Sequence, residues 1–279
     1  MALRLLGLGD NTIDTYVDRA EQYPGGNAVN VAVLARRLGA QAGYMGCLGD
    51  DEAGDILREA LAAEGIDTVR CRKCPEGNAR AFIAHNDGDR RFIRSAPGCR
   101  AEWGAFDRAD RDYIAGYDTV HSSIFSGLEP HRAALRPAIR RWSFDFSEKW
   151  TPAILDDWMP LLDDVFLSHP LGSDEDVAAL ARFCAARGAQ SVVITRGARG
   201  AHALRGKDGA DCLPEPAEVV DTLGAGDAFI AGYLVGLHRR LALPDALSFA
   251  AQAAAEACGR FGAFGHGRPW RQSHIQHQP

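Results

Sequence analysis

The chain has 279 residues, of which 46% are hydrophobic, and its 31 basic and 37 acidic residues give a net charge of −6. This length suits one large α/β domain, while the negative charge and the absence of a long apolar run argue against nucleic-acid and membrane partners. Seven cysteines, an odd number, and the lack of an export signal in residues 1–9 predict a cytoplasmic protein without a disulfide framework.

Strands and helices alternate along most of the chain. Residues 3–8 are expected to form a buried strand, followed by a helix at 28–38, a strand at 41–47 and a helix at 52–64. Further strands are expected at 119–121, 142–146, 165–168 and 190–195 and ending at Asp221, with helices at 174–187, 228–240 and 249–261. This order predicts an α/β fold in which a central, mostly parallel sheet is flanked by helices on both faces.

Residues 67–96 interrupt the alternation because they contain no convincing helix. Strand-like runs at 79–85 and 90–95 flank Asn86-Asp87-Gly88-Asp89, which is a strong hairpin signal. With residues 15–17 they predict a small antiparallel sheet, either a decorative hairpin or, as we favour, a lid over a ligand cleft. We therefore predict a single domain over 1–265, with a lid at about 12–24 and 67–96, and a polar tail at 266–279.

The run DTLGAGD at 221–227 places small residues before an apolar helix. Gly224, Ala225 and Gly226 would let successive backbone N–H groups approach an anion, and the helix dipole would add to that field. Asp227 would then stand beside a bound phosphoryl group, where a carboxylate is useful as the base that takes a proton from an attacking hydroxyl. Taken alone, such a run is more often an ordinary glycine-rich turn.

Two runs together resemble one family. D-T-x-G-A-G-D-x-F at 221–229 and G-G-x-x-x-N-x-A at 25–32 resemble the C-terminal and N-terminal signatures of the ribokinase-like (PfkB) carbohydrate kinases, in the expected order. The resemblance extends over residues 5–265. It implies a ribokinase-like fold, an ATP-dependent transfer of phosphate to an alcohol group, and a small-molecule sugar as substrate.

The resemblance also assigns roles to individual residues. Because the family holds its sugar between the diglycine and the catalytic aspartate, it implies a sugar site made of Asp14, Gly25, Gly26 and Asn30. Asp14 matches the aspartate that accepts hydrogen bonds from two hydroxyls, a role for which a carboxylate is well suited; the alternative is a turn residue after the first strand. Catalysis is implied for Asp227 with Gly224, Ala225 and Gly226.

The nucleotide site is implied by residues 195–200, TRGARG, which resemble the loop that borders ATP in this family. The ATP-binding residues would be Thr195, Gly197, Gly200 and Gly226, with Arg196 and Arg199 facing either the phosphates or solvent. ATP chemistry implies Mg²⁺, yet the family's N-x-x-E is replaced by SHPL at 168–171, which leaves Asp174 or Glu175 as substitutes. A potassium ion near Asp221 is a further option that the family offers.

The substrate is narrowed by local runs at 7–11, 25–32, 118–121 and 144–150, which resemble fructoselysine 6-kinases. These enzymes phosphorylate the sugar O6 of glycated lysine, so a fructosamine such as fructoselysine is the expected substrate. The alternative is a fructokinase or ribokinase-like enzyme for an unmodified sugar or nucleoside. Family members often pair through the lid. Exposed apolar side chains at Phe82, Ile83, Phe92 and Ile93 would indicate a homodimer here; the alternative is that they cover the substrate.

Two other classes of function are less well supported. A dinucleotide-dependent dehydrogenase would need G-x-G-x-x-G after the first strand, and Thr12 stands where the third glycine belongs. A non-catalytic sugar sensor on a kinase fold is disfavoured because Asp227 and the glycine loop are intact.

Overall fold

The computed structural model describes residues 1–86, 89–98 and 103–271, with the backbone alone at 85, 86, 89 and 90. Its helices are α1 (Asn27–Arg37), α2 (Glu52–Ala63), α3 (Arg108–Ala115), α4 (Arg132–Leu135), α5 (Pro152–Trp158), α6 (Asp174–Ala185), α7 (Ala225–His238) and α8 (Leu243–Cys258). Its strands are β1 (Arg4–Leu8), β2 (Thr12–Tyr16), β3 (Glu21–Gly25), β4 (Gln41–Met45), β5 (Cys47–Gly49), β6 (Arg72–Cys74), β7 (Arg80–Asn86), β8 (Asp89–Ala96), β9 (Thr119–Ser123), β10 (Trp142–Asp145), β11 (Asp164–Ser168), β12 (Ser191–Thr195), β13 (Ala201–Arg205), β14 (Asp208–Cys212) and β15 (Arg268–Pro269).

The large sheet has eight strands in the order β14-β13-β12-β11-β10-β9-β1-β4. Every neighbouring pair from β4 to β12 is parallel, and β13 and β14 extend the sheet as an antiparallel edge. The predicted mostly parallel sheet is therefore confirmed. Parallel strands connected by helices bring their carboxyl ends to one edge, which is where ligands bind in such sheets.

Helices cover both faces of this sheet, as the sequence predicted. Leu5, Phe166 and Val193 enter one hydrophobic core together with side chains of α1, α2, α7 and α8. Residues next to these along the same strands, such as Leu6 and Val165, enter a second core with side chains of α3, α5 and α6. Because consecutive strand residues point to opposite faces, each central strand serves both cores.

A small sheet of five strands, in the order β15-β3-β2-β7-β8, stands beside the large one. Its pairs are antiparallel except for β2 with β7. The predicted hairpin is present, since Asn86 pairs with Asp89, while residues 87 and 88 of its turn lie outside the described residues. Tyr16, Tyr23 and Ile83 of the small sheet pack with Leu223 and Phe261 of the main body.

The expected polar tail is partly structured. Residues 268 and 269 form β15 and pair with β3, and the ring of Trp270 lies 6.0 Å from that of Phe82. Residues 272–279 of the tail lie outside the described residues. The division into one domain over 1–265, a lid and a tail remains a prediction.

One local expectation is wrong. No strand ends at Asp221, because the N–H groups of Val220 and Asp221 both donate to the carbonyl of Cys258 at the end of α8, at 2.9 and 3.1 Å.

The cysteine count predicted no disulfide framework, and one cysteine, Cys74, is disulfide-bonded. A count does not reveal which individual cysteines meet in space. In the described part of the chain, no helix combines the length and apolar character that crossing a membrane requires.

Candidate active site

A cavity of about 1300 Å³ lies along the carboxyl ends of the parallel strands, between the large sheet and the small sheet. Its wall includes Asp10 after β1, Asp145 at the end of β10 and Thr195 at the end of β12, and Ala81 of the small sheet closes the other side. Pockets for one small ligand usually measure about 300–1,000 Å³. The cavity is therefore large enough for two ligands side by side.

The cavity brings together most residues that the sequence singled out. The residues of this set that line it are Asp14, Gly26, Asn30, Thr195, Gly197, Gly200, Gly224, Ala225, Gly226 and Asp227. Gly25 lies just behind the wall, where a Cβ atom would come within 2.2 Å of the Asp14 carboxylate. Glycine at this position thus leaves space for that buried carboxylate.

Two helices begin at this cavity, and both begin with a glycine. Gly26 caps α1 with φ 109° and Gly224 caps α7 with φ 79°, a left-handed backbone that favours glycine. A Cβ on Gly224 would lie 2.3 Å from the Cβ of Ala263. The first turn of a helix leaves its N–H groups without partners in the helix, although that of Ala225 donates to the Thr222 carbonyl at 3.3 Å.

Asp227 lies in the first turn of α7 and faces the first turn of α1. One carboxylate oxygen accepts a hydrogen bond of 2.6 Å from the side-chain nitrogen of Asn30, and the other accepts one of 2.8 Å from that of Asn27. Asn30 is only 3% exposed, and its own side-chain oxygen has no hydrogen-bond partner. A buried acceptor without a partner is costly, so this oxygen is suited to a hydroxyl of a bound ligand.

Sequence reasoning missed Asn27. Its side-chain nitrogen also donates to Asp145 at 2.8 Å, and its oxygen lies 2.9 Å from Nε2 of His121. Burial, followed by the negative charges of Asp227 and Asp10, raises the pKa of Asp145 to about 7. Burial lowers the pKa of His121 to about 3. The available signal was the spacing of Asn27 and Asn30, which places both amides on one face of a helix.

Asp221 is buried and does not line the cavity. Its carboxylate accepts hydrogen bonds from the hydroxyl of Tyr16 at 2.5 Å and from the backbone N–H groups of Leu223 at 3.0 Å and Gly262 at 3.1 Å. Both oxygens are thus satisfied by donors. The carboxylate braces the glycine loop against the small sheet.

The loop at 195–200 lines the other end of the cavity through Thr195, Gly197 and Gly200. Its two arginines turn away from the cavity: Arg196 donates to Asp174 at 2.5 Å and Arg199 donates to the carbonyl of Pro170 at 2.7 Å. Their guanidinium groups hold the neighbouring 170–174 loop. The sequence leaves open whether they face the phosphates or solvent; in the structure neither arginine is part of the cavity wall.

The stretch in place of N-x-x-E offers little to a metal ion. Ser168 lines the cavity, whereas Leu171 is 94% exposed and Asp174 is paired with Arg196. Neither Asp174 nor Glu175 is part of the cavity wall. Across residues 1–86, 89–98 and 103–271, no cluster of three or more His, Cys, Asp or Glu side chains is arranged to hold a metal.

Comparison with known proteins agrees with this architecture. The chain is 38% identical over 276 residues to fructosamine kinase FrlD of Bacillus subtilis (strain 168), covering 96% of this chain and 95% of that protein. It is 36% identical over 260 residues to fructoselysine 6-kinase of Escherichia coli (strain K12), covering 93% and 99%. The structure of Arabidopsis thaliana ribokinase complexed with ribose and ATP superposes with a TM-score of 0.81 at 21% identity, covering 98% and 97% of the two chains.

The family match covers most of the chain. Residues 5–133 and 164–269 match the pfkB family of carbohydrate kinases. The two segments include both glycine-capped helices, the small sheet and the loop that carries Asp227. The chain therefore belongs to the pfkB carbohydrate kinase family.

Proposed function

We propose that this protein is an ATP-dependent kinase that transfers the γ-phosphate of ATP to the 6-hydroxyl of a fructosamine such as fructoselysine. The observation that carries the kinase assignment is the Asp227 carboxylate, which lies beside the glycine-capped start of α7 and opposite Asn30 in one cavity. The fructosamine assignment is supported by two relatives, named fructosamine kinase and fructoselysine 6-kinase, that align over more than nine-tenths of the chain.

In this proposal the sugar lies between α1 and the small sheet. Asp14 and the side-chain oxygen of Asn30 accept hydrogen bonds from sugar hydroxyls. The backbone at Gly26 borders the same ligand, and Gly25, behind it, leaves space for the Asp14 carboxylate. Asp14 is 4% exposed and lines the cavity, so a diol bound there would be shielded from water. Burial of this kind strengthens each hydrogen bond and fixes the sugar for attack.

Asp227 acts as the general base. It takes the proton of the 6-hydroxyl as the sugar oxygen forms its bond to the γ-phosphorus, and the bond from that phosphorus to the β-γ bridging oxygen breaks, so that ADP leaves. The start of α7 at Gly224, Ala225 and Gly226 faces the transferred phosphoryl group, where the helix dipole offsets its negative charge. In phosphoryl transfer most of the catalysis is such positioning and charge stabilisation.

ATP occupies the end of the cavity lined by Thr195, Gly197, Gly200 and Gly226. We propose that Mg²⁺ arrives with the ATP phosphates, as is usual for this ion, and neutralises part of their charge; Ser168 is the polar residue of the 168–171 stretch that lines the cavity. A potassium ion held by carbonyls near Asp221 stays a prediction; the Asp221 carboxylate itself already accepts three hydrogen bonds. No step is assigned to a monovalent cation.

We further propose that the small sheet, over about 12–24 and 67–96, is a lid that shields the sugar and that two subunits pair through it. Ile93 is 44% exposed, which supports pairing, whereas Phe92, 62% exposed, lines the cavity and is placed to cover the substrate. Phe82 and Ile83 are buried within the subunit. The mass in solution by light scattering tests the dimer. The cytoplasmic location remains a prediction, to be tested by cell fractionation.

The deciding experiment measures ATP turnover with fructoselysine, fructose, ribose and a nucleoside. The proposal expects kcat/KM to be highest for fructoselysine, with the phosphate on O6. A preference for fructose or ribose would instead support the alternative, an enzyme for an unmodified sugar. If the protein turned over none of the four compounds, the interpretation as a non-catalytic sugar sensor would be supported instead.

A further inference from the structure

Asn27 lies among three carboxylates and donates to all of them. Its backbone N–H donates to Asp10 at 2.7 Å, and its side-chain nitrogen donates to Asp145 and to Asp227, each at 2.8 Å. Three carboxylates this close would repel one another in the absence of shared donors. The side-chain amide of Asn27 supplies one hydrogen to Asp145 and the other to Asp227.

The orientation of the Asn27 amide is determined by its neighbours. If the amide were turned over, its oxygen would face the carboxylate of the proposed base Asp227, which is repulsive, so the nitrogen lies there. The oxygen then faces Nε2 of His121 at 2.9 Å, and this nitrogen must carry the hydrogen. Nδ1 of the same ring lies 2.8 Å from the hydroxyl of Ser143, which donates to it.

His121 acts from behind the cavity wall. It is fully buried and is not one of the residues that line the cavity. Burial holds its pKa near 3, so the ring is neutral at physiological pH and keeps one donor and one acceptor nitrogen. The hydrogen bonds therefore run in one direction: Ser143 donates to His121, and His121 donates to Asn27.

We propose that Asn27 is the positioning residue for the base Asp227 and that His121 fixes the direction in which the Asn27 amide faces. This inference rests on the proposed role of Asp227. Both side-chain hydrogens of Asn27 are engaged with carboxylates, which leaves none to donate to the sugar. Asn27 therefore sets the plane of the Asp227 carboxylate relative to the substrate hydroxyl.

The first test separates turnover from binding. Asn27→Ala lowers kcat about 100-fold, because a misplaced base loses its approach to the hydroxyl, while the KM for sugar changes by no more than about threefold. The rising limb of the kcat–pH profile also moves to higher pH, since a hydrogen bond to an ionised carboxylate favours that form. A kcat within about twofold of the unaltered enzyme overturns the proposal.

The second test uses His121, which does not touch the substrate. His121→Phe removes the donor to Asn27 and lowers kcat about tenfold, whereas His121→Gln keeps a side-chain N–H for Asn27 and retains about half of kcat. His131→Phe and His131→Gln are the matched controls, because His131 packs on Phe106 away from the cavity. Equal losses in the Phe and Gln variants of His121 would contradict the role assigned to the ring.

A double substitution keeps the inference testable if a single variant is partly destabilised. When His121 acts through Asn27, adding His121→Phe to Asn27→Ala causes no further loss of kcat. A further loss of about tenfold would show that His121 acts by another route. All ratios are measured with the sugar that the unaltered enzyme turns over fastest, so failure of the fructosamine assignment and failure of this inference give different results.

Discussion

The hydroxyl of Tyr16 donates a hydrogen bond of 2.5 Å to the Asp221 carboxylate. Tyr16 belongs to the small sheet, and Asp221 begins the loop that leads to the proposed base. The same carboxylate accepts the N–H groups of Leu223 and Gly262. One buried carboxylate thus joins the proposed lid, the glycine loop and the segment after α8.

Tyr16→Phe should therefore destabilise the protein. The hydrogen bond that is lost goes to a buried charged group, for which about 1.5–3 kcal/mol is expected, and the KM for ATP should rise because the loop loses a brace. Urea denaturation measures the loss. Tyr23→Phe is the control, since its hydroxyl donates to the more accessible Glu21 at 2.9 Å; equal losses in both variants would refute the special role of the Tyr16 bond.

The two glycines of the loop should respond differently to alanine. In Gly224→Ala the alanine must adopt the left-handed backbone of this position, which costs about 1–2 kcal/mol. Its Cβ would also lie only 2.3 Å from the Cβ of Ala263. Gly226→Ala meets nothing within 4 Å, so the free energy of unfolding should not fall and should rise by up to about 1 kcal/mol, since alanine favours the helix. Its new methyl group enters the cavity and should raise the KM for ATP. A stable, fully active Gly224→Ala enzyme would contradict this account.

Asp145 should make stability depend on pH. Burial and the charges of Asp227 and Asp10 raise its pKa to about 7 in the native protein, against about 4 when unfolded. Between these values the native state binds more protons, so this contribution to the free energy of unfolding is complete below about pH 4 and is lost as the pH rises through about 7.

Comparison with Asp145→Asn isolates that contribution. The free energy of unfolding, measured by urea denaturation between pH 4 and 8, should fall more steeply with pH in the unaltered protein than in the variant. The two slopes should differ by at most about 1.4 kcal/mol per pH unit. Above pH 8 the two curves should run parallel. Parallel curves over the whole range would mean that Asp145 titrates normally.

Asp227→Asn tests the base directly. The variant keeps the shape of the side chain but cannot accept the hydroxyl proton, so kcat should fall by about 10²–10⁴-fold. Sugar binding, measured by calorimetry, should persist because Asp14 and the side-chain oxygen of Asn30 are untouched. Full activity of this variant would exclude Asp227 as the base.

Part of the site could be predicted from the sequence alone because it depends on residues that are close together in the chain. The glycines at 26 and 224 occupy positions where a helix begins with a positive φ, and that requirement leaves a mark on the sequence. Asp227 follows three residues later in the second of these turns. Such features depend on neighbours in sequence, so their spacing predicts them.

Other features depend on residues that are far apart in sequence. The error at Asp221 is an example, since its N–H pairs with Cys258 and its carboxylate with Tyr16. Arg196 and Arg199 donate to the 170–174 loop, which lies more than 20 residues earlier in the chain. No pattern within the local runs records these partners.

The sequence by itself predicted the alternating α/β fold and the glycine loop at the start of α7, because strand and helix periods and glycine-rich turns are properties of short segments. The resemblance to the kinase family added the proposal that Asp227 is the base. Only the tertiary structure decided which side chains hold that base. Asn27 and His121 are 94 residues apart, yet they meet at 2.9 Å because β9 lies directly beside β1 and α1 packs against both strands. Strand order in the sheet, which follows from long-range pairing, brought them together.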